Sequence, residues 1–561
     1  MKPQSPPPKT DSQVEVVRLV WLAIFISVFS FLFYYRAGDL LLYGDAVAHI
    51  NIARRIFDSK TPGLLQLGTV WLPLPHLLIM PFIVSKQLWQ NGGGGSIPSM
   101  AGFILGTLGI FRLVRTALKG NSEGWVRVMA WFAAVIYAAN PNLIYLQSTA
   151  MGESLYLAFF IWSIVYFAEF ARGNAKALPK CGLCVMAACL TRYDGWFLAA
   201  ILTLAVIIAS SQFSGSWEDG KSKPAQSVPR MAIAKFILLA AAGPVLWLTY
   251  NAAVYRNPLE FLNGPYSAKA IELKTATTNP AKGNLLASSS YFIKAAELDI
   301  GGSNWPGRLW LCLALLGSFV AIFEKRGRSA LLFWTPLLFY ALSIAYGSIP
   351  IFVPVWWPFS QYNMRYGLQL LPAFAIFVPL GISFLVQSAM KIPQVELSLR
   401  TWTNTVTALI ILLLAASTYA AIWHSDPICY SEAKLNMKTR LALDRQLGDW
   451  LKFLPPNSTL LMYLGEHVGA LERDGIPLSR TINEGNHRMW MQPSDADGLW
   501  ERALANPVAY ADFVIAFEGD PVWTAARNKN LTALVEIHTT GQPPAIIFQG
   551  RTPSPTQGTA R

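Results

Sequence analysis

The sequence is built from apolar blocks, most of them about 17 to 25 residues long, separated by short basic segments. In helical form such a block matches a hydrocarbon layer about 30 Å thick. The blocks fall at about 19–35, 98–114, 126–145, 153–170, 178–191, 195–211, 231–253, 307–323, 329–347, 366–387 and 402–423, eleven expected crossings. Of 561 residues, 53% are hydrophobic and 14% charged, against about 25% charged in ordinary soluble domains. That excludes a single soluble domain and predicts a mainly α, polytopic membrane protein. Residues 72–88 are apolar too, but Pro73, Pro75, His76, Pro81 and Lys86 interrupt them, so they read as a surface or re-entrant helix.

The formal charge of +13 raises nucleic acid as a partner, but no basic face or recognition module carries it. Topology explains it instead. With 72–88 outside the bilayer and the N-terminus cytoplasmic, the inner segments are 1–18, 112–127, 170–180, 211–235, 324–328 and 388–401, holding 19 basic and 7 acidic residues. The outer turns 146–152 and 192–194 hold one basic residue, Arg192, and the outer loop 348–365 holds one, Arg365. Counting 72–88 as a crossing would reverse every later segment, against the excess of Lys and Arg in cytoplasmic loops. Expected domains are therefore a cytoplasmic tail 1–18, a membrane domain 19–423 with outer loops 36–97 and 254–306, and a tail 424–561 on the outer side. The tail is mixed in charge, with helix-like 440–453 and 495–505 and strand-like 459–464, 512–517 and 545–548, a small α/β domain. Its last ten residues read as a loose end.

Cys181, Cys184, Cys189 and Cys312 lie in apolar stretches and Cys429 outside them, so no disulfide framework is expected. Gly465-Glu466-His467 and Asn483 to His487 lack tight metal-ligand spacing and read as polar loops.

Seventeen acidic residues precede position 424, and each is costly near hydrocarbon. Asp45, Glu153 and Asp194 stand at the outer ends of helices. Asp45 opens an amphipathic, interfacial stretch running through His49 to Arg55, with Asp45 and His49 one turn apart; it also suits a helix N-cap. Glu153 follows the turn that begins Asn140-Pro141, where the helix dipole alone would favour it. Two carboxylates facing one compartment supply the parts for general base catalysis or for holding a divalent cation. Arg192, in Arg192-Tyr193-Asp194, and Arg365, in Arg365-Tyr366, are arginines at the outer boundary and suit recognition of a phosphate. Arg192 could equally pair with Asp194, and both could meet lipid headgroups. Trp71, Trp305, Trp356 and Trp357 read as an interfacial belt.

These motifs, in this order, resemble the membrane glycosyltransferases of the GT-C fold, in particular the aminoarabinose transferases, protein O-mannosyltransferases and Rgt-type transferases. The family's first outer loop opens with Asp, often Asp-Glu, and continues as an amphipathic helix ending in a small residue and Arg. Asp45 to Ala53-Arg54 matches that frame, with Ala46 where the second acid would stand. Trp71-Leu72-Pro73-Leu74-Pro75-His76 matches a proline-rich approach to a second interfacial helix, Asn140-Pro141 with Glu153 the second acidic loop, and Arg365-Tyr366 to Pro372 a late Arg-Tyr motif.

The resemblance implies transfer of a sugar from a polyprenyl-phosphate donor to a lipid, glycan or protein acceptor at the outer face of a bacterial cell membrane. It implies inversion, with Asp45 as general base and Glu153 orienting the substrates or helping to ligate a divalent metal. His49 would tune Asp45, and Arg192 and Arg365, with Tyr193, Asp194 and Tyr366 around them, would bind the donor phosphate. The alternative is a transporter or flippase, for which Asp45, Glu153 and Arg365 would lie apart. Orientation is directly testable: a periplasm-dependent phosphatase fused after residue 561 is expected to be active and a fluorescent protein fused there dark. The opposite pattern would reverse the sidedness.

Overall fold

The computed structural model describes residues 11–118, 122–213, 230–275, 279–323, 327–389, 397–465, 467–486 and 498–551. Glu466, His487 and the last ten residues, on which expectations were placed above, lie outside these. Among the described residues nine helices are long and apolar enough to cross a membrane, and the chain is an integral membrane protein of mainly α architecture.

Two of the eleven expected crossings take other forms. The block at 126–145 divides into Glu123–Ala138 and Pro141–Gln147, bent by 60°. Pro141 cannot continue the hydrogen-bond ladder, and the Asn140 side chain restarts it by accepting from Leu143 N at 3.0 Å. The block at 178–191 is the thirteen-residue helix Ala177–Cys189, about 20 Å long at 1.5 Å per residue, too short to cross alone. Residues 72–88 hold the seven-residue helix Pro73–Ile79 and the start of Lys86–Gln90, and neither helix crosses.

Lipid tails are as apolar as leucine, so the spans associate through close packing and buried polar bonds. Gly317 of Asn304–Phe323 faces Leu371–Ala389 so closely that a Cβ there would stand 1.9 Å from the Phe377 carbonyl oxygen. Gly381 reciprocates, 2.4 Å from the Leu313 carbonyl. The first span, Asp11–Ala37, is tied to the bent helix by Ser27 Oγ donating to Gln147 Oε1 at 2.7 Å.

Beyond His424 the helix Ile428–Leu451 leads into a five-stranded sheet of β1 (Leu460–Met462), β2 (Thr481–Ile482), β3 (Phe513–Phe517), β4 (Ala533–Ile537) and β5 (Ala545–Gln549), in the order β2-β1-β3-β5-β4. β1 runs parallel to β2 and β3, and β5 antiparallel to β3 and β4. Strands β1, β3 and β5 coincide with the expected ones. β2 has two residues, and β4 is a largely exposed edge whose apolar residues Ala533 and Leu534 face outward; the sequence pattern identifies neither.

The tail is seated on the segment that follows the first span. Glu472 Oε2 accepts from Asn51 Nδ2 at 3.0 Å, Asp58 Oδ1 from Ser479 N at 3.0 Å, and the Gly485 carbonyl from Gln66 Nε2 at 2.7 Å. Burial raises the Glu472 carboxyl well above its ordinary range.

Gly317→Leu is expected to destabilise the purified protein by about 1–3 kcal/mol or more, because backbone cannot yield to the new side chain. Gly124→Ala, with nothing within 4 Å of the added Cβ, is the control. Equal melting temperatures for the two variants would remove the close approach as a stabilising feature.

Candidate active site

Five elements distant in sequence deliver charge to one place. Asp45 lies in the first turn of the helix Gly44–Arg55, whose N-cap is Tyr43. The N-cap reading of Asp45 is therefore corrected: its side chain is free to leave the helix. Glu153 opens the span Glu153–Phe170 and Asp194 the helix Asp194–Phe213. Arg365 sits in the short 3-10 helix Met364–Leu370, which follows Asn363 at φ 58°, a left-handed conformation that Asn tolerates. Gly367 lets that turn press against the helix Leu285–Gly301: a Cβ there would lie 2.5 Å from Ala296 N and from Asp299 Oδ2.

Arg365 is the hub. Its Nη2 donates to Asp45 Oδ2, its Nε donates to Glu153 Oε1 at 3.1 Å, and its Nη1 lies 3.6 Å from Glu432 Oε1. Arg192 meets the same Glu153 oxygen through Nη1 at 3.1 Å, reaches Asp194 through Nε at 3.2 Å, and donates through Nη2 to Tyr340 OH at 2.9 Å. Tyr340 OH donates in turn to Asp194 Oδ2 at 3.1 Å. Both guanidinium carbons stand 5.0 Å from the centre of the Tyr366 ring, within cation–π range.

Burial separates the roles. The Glu153, Glu432 and Asp194 side chains are at most 4% exposed, whereas Asp45 is 32% exposed. Asp45 is gripped by Arg365 on one side and open on another, as a group meeting substrate must be. Glu153 bridges two arginines and has an oxygen, Oε2, buried without a partner. It positions the guanidinium pair.

Three expected partnerships take different forms. His49 pairs with His76 instead of Asp45: Nδ1 and Nε2 stand 2.9 Å apart, and Trp71, expected in the interfacial belt, packs edge-on against His49 at 4.6 Å between ring centres. Burial lowers the proton affinity of His49, and of His76 more strongly, and one ring N–H lies in the hydrogen bond between them. Tyr193 commits its hydroxyl to the Val70 carbonyl at 2.8 Å and accepts from Trp247 Nε1 at 3.1 Å, fastening the first outer loop rather than facing the arginines. Arg192 does pair with Asp194, the alternative noted from sequence, but also with Glu153 and Tyr340.

Sequence reasoning missed Glu432, Tyr340 and His76 as site residues. Glu432 comes from the tail helix Ile428–Leu451, where no spacing marks it out. Its oxygens accept from Asn363 N at 3.1 Å and Met364 N at 2.8 Å, the N–H groups that open the Arg365 turn. Nearby, Asn140 and Asn142 both donate to the Asp299 carbonyl, at 3.1 and 2.8 Å, and Asn142 accepts from Cys429 N at 2.9 Å. Among the described residues no group of three or more His, Cys, Asp or Glu is arranged to hold a metal ion. Asp45 and Glu153 face a guanidinium where a cation would lie, so these carboxylates do not fit a divalent metal.

Glu432→Ala is expected to cost about 3–5 kcal/mol, the penalty for breaking a buried charge pair from one side, read as a lower melting temperature of the purified protein. An unchanged temperature would remove Glu432 from the cluster.

No protein-family model matches the sequence, and no curated protein matches it. Similarity appears among solved structures. The crystal structure of ArnT, an aminoarabinose transferase, from Cupriavidus metallidurans bound to undecaprenyl phosphate superposes with a TM-score of 0.54 at 13% identity, over 96% of this chain and 98% of that one. Its apo state gives 0.55 at 12% identity over the same shares. An Archaeoglobus fulgidus oligosaccharyltransferase in complex with Zn and sulfate gives 0.44 at 10% identity, over 89% of this chain and 68% of that one.

Proposed function

Starting from the GT-C fold it shares with ArnT, we propose that the chain is an integral-membrane glycosyltransferase taking its sugar from a polyprenyl-phosphate donor. The observation that carries this reading is the meeting of Asp45, Glu153, Asp194 and Glu432 with Arg192 and Arg365 in one cluster at the ends of five elements. The transporter alternative expected these residues apart. The undecaprenyl phosphate of the ArnT structure supports a lipid of that class as the leaving group.

In the proposed reaction the acceptor's hydroxyl or amine attacks the anomeric carbon from the face opposite the phosphate, giving inversion. The new bond forms as the sugar–phosphate C–O bond breaks. The acceptor proton passes to the open side of the Asp45 carboxylate, and the bonding pair leaves with the polyprenyl phosphate. Arg365 holds the Asp45 carboxylate aimed. The two guanidiniums stacked on Tyr366 place positive charge where the phosphate gains negative charge, and Arg192, 19% exposed, is the more accessible of them. Preset charge of this kind acts without reorganisation during the reaction.

Asp45→Asn keeps shape and hydrogen bonding but removes the proton acceptor. Transfer from polyprenyl-phosphate sugars in membranes is expected to fall about 10²–10⁴-fold. Near-wild-type turnover by the folded variant would overturn the assignment.

A further inference from the structure

A second site lies at the opposite ends of the spans. A cavity of about 480 Å³ opens among six elements, within the roughly 300–1,000 Å³ usual for ligand pockets. Leu113 and Val114 come from the end of Gly93–Ala117, Ile376, Phe377 and Leu380 from Leu371–Ala389, and Ala321 from the end of Asn304–Phe323. Each of these helices begins on the Asp45 side and ends here, so the cavity lies across the bilayer from the proposed active site.

Its walls are apolar and its rim is polar. Ser122, the N-cap of Glu123–Ala138, lines it without capping its helix, and its hydroxyl is buried with no hydrogen-bond partner among the described residues. Gln387 and Asn404 add polar groups, and Gly327 brings the exposed Arg328 to the same edge. Arg115 and Arg127 nearby are already matched by Glu15 and Glu123, whereas among the described residues Arg328 donates only to the Ile322 carbonyl, through Nε. The segments on this side carry 19 basic against 7 acidic residues.

An apolar pocket between spans with a basic, hydrogen-bonding rim is the form in which membrane proteins hold anionic lipid headgroups. We propose that this cavity binds one anionic membrane phospholipid. An acyl chain lies against Leu113, Ile376 and Phe377, and the phosphate sits at the rim beside the positive end of the Glu123–Ala138 helix and near Arg328. The site is separate from the donor site proposed above and does not depend on that reading.

The test uses the full chain in phosphatidylcholine nanodiscs containing a trace of photoreactive lipid, with a diazirine on the acyl chain and either a phosphatidylglycerol or a phosphatidylcholine head. Peptides covering 113–125 and 376–387 are expected to be labelled about fivefold more by the anionic probe, the preference one surface cation confers. Arg328→Gln is expected to bring both probes level. Ala321→Trp, which fills the cavity, is expected to abolish labelling there while leaving the exposed Trp21, Phe25 and Phe29 face of the first span labelled as before. Equal labelling of wild-type protein by both heads, or labelling confined to the first span, would overturn the proposal. Both outcomes are read on wild-type protein and stand even if a variant fails to fold.

Discussion

One guanidinium organises the end of the membrane bundle where the tail docks. Arg365 touches carboxylates from the first outer loop, the second outer turn and the tail helix, and its own turn is clasped by Glu432 through two backbone N–H groups. Charges so deeply buried are tolerable only in mutual company, since removing any one leaves the others uncompensated. That dependence gives the site its rigidity. Arginine suits the post because its planar fork addresses several carboxylates at fixed angles, which the single ammonium of lysine cannot.

The membrane architecture was legible because its physics is one-dimensional. Hydrocarbon thickness sets block length, and it acts on contiguous residues. The departures from the expected spans occur where a local residue overrides the block: Pro141 breaks one and the shortness of Ala177–Cys189 leaves another incomplete. In the tail, β1, β3 and β5 are buried apolar runs and could be read. β2 is two residues and β4 is half-exposed, so their pairing partners define them and their composition does not.

The site was legible one residue at a time. Asp45, Glu153, Arg192 and Arg365 drew notice because charge at a helix end in a membrane protein demands a reason. Their partners did not, because partnership is a three-dimensional fact. Glu432 is an ordinary acid in an ordinary amphipathic helix until its contact with Asn363 and Met364 is seen. His49 was noticed for its spacing from Asp45, but His76, brought beside it by the Pro73–Ile79 helix, takes the hydrogen bond. Tyr193 shows the converse: a polar residue flanked by site residues whose hydroxyl belongs to Val70 and Trp247.

The spacing of the hub's partners along the chain has a consequence for biogenesis. Asp45 and Glu153 leave the ribosome well before Arg365, and Glu432 after it. Glu153 finds Arg192 39 residues later, so a local neutral pair can enter the bilayer early. Asp45, the more exposed carboxylate, can wait in water. The Arg365 turn is fixed only when the start of the tail helix arrives, so a chain arrested before residue 432 holds every membrane span yet lacks the clasp of its hub. Completion of the Arg365 cluster is thus a late event in synthesis, timed by the arrival of the helix Ile428–Leu451.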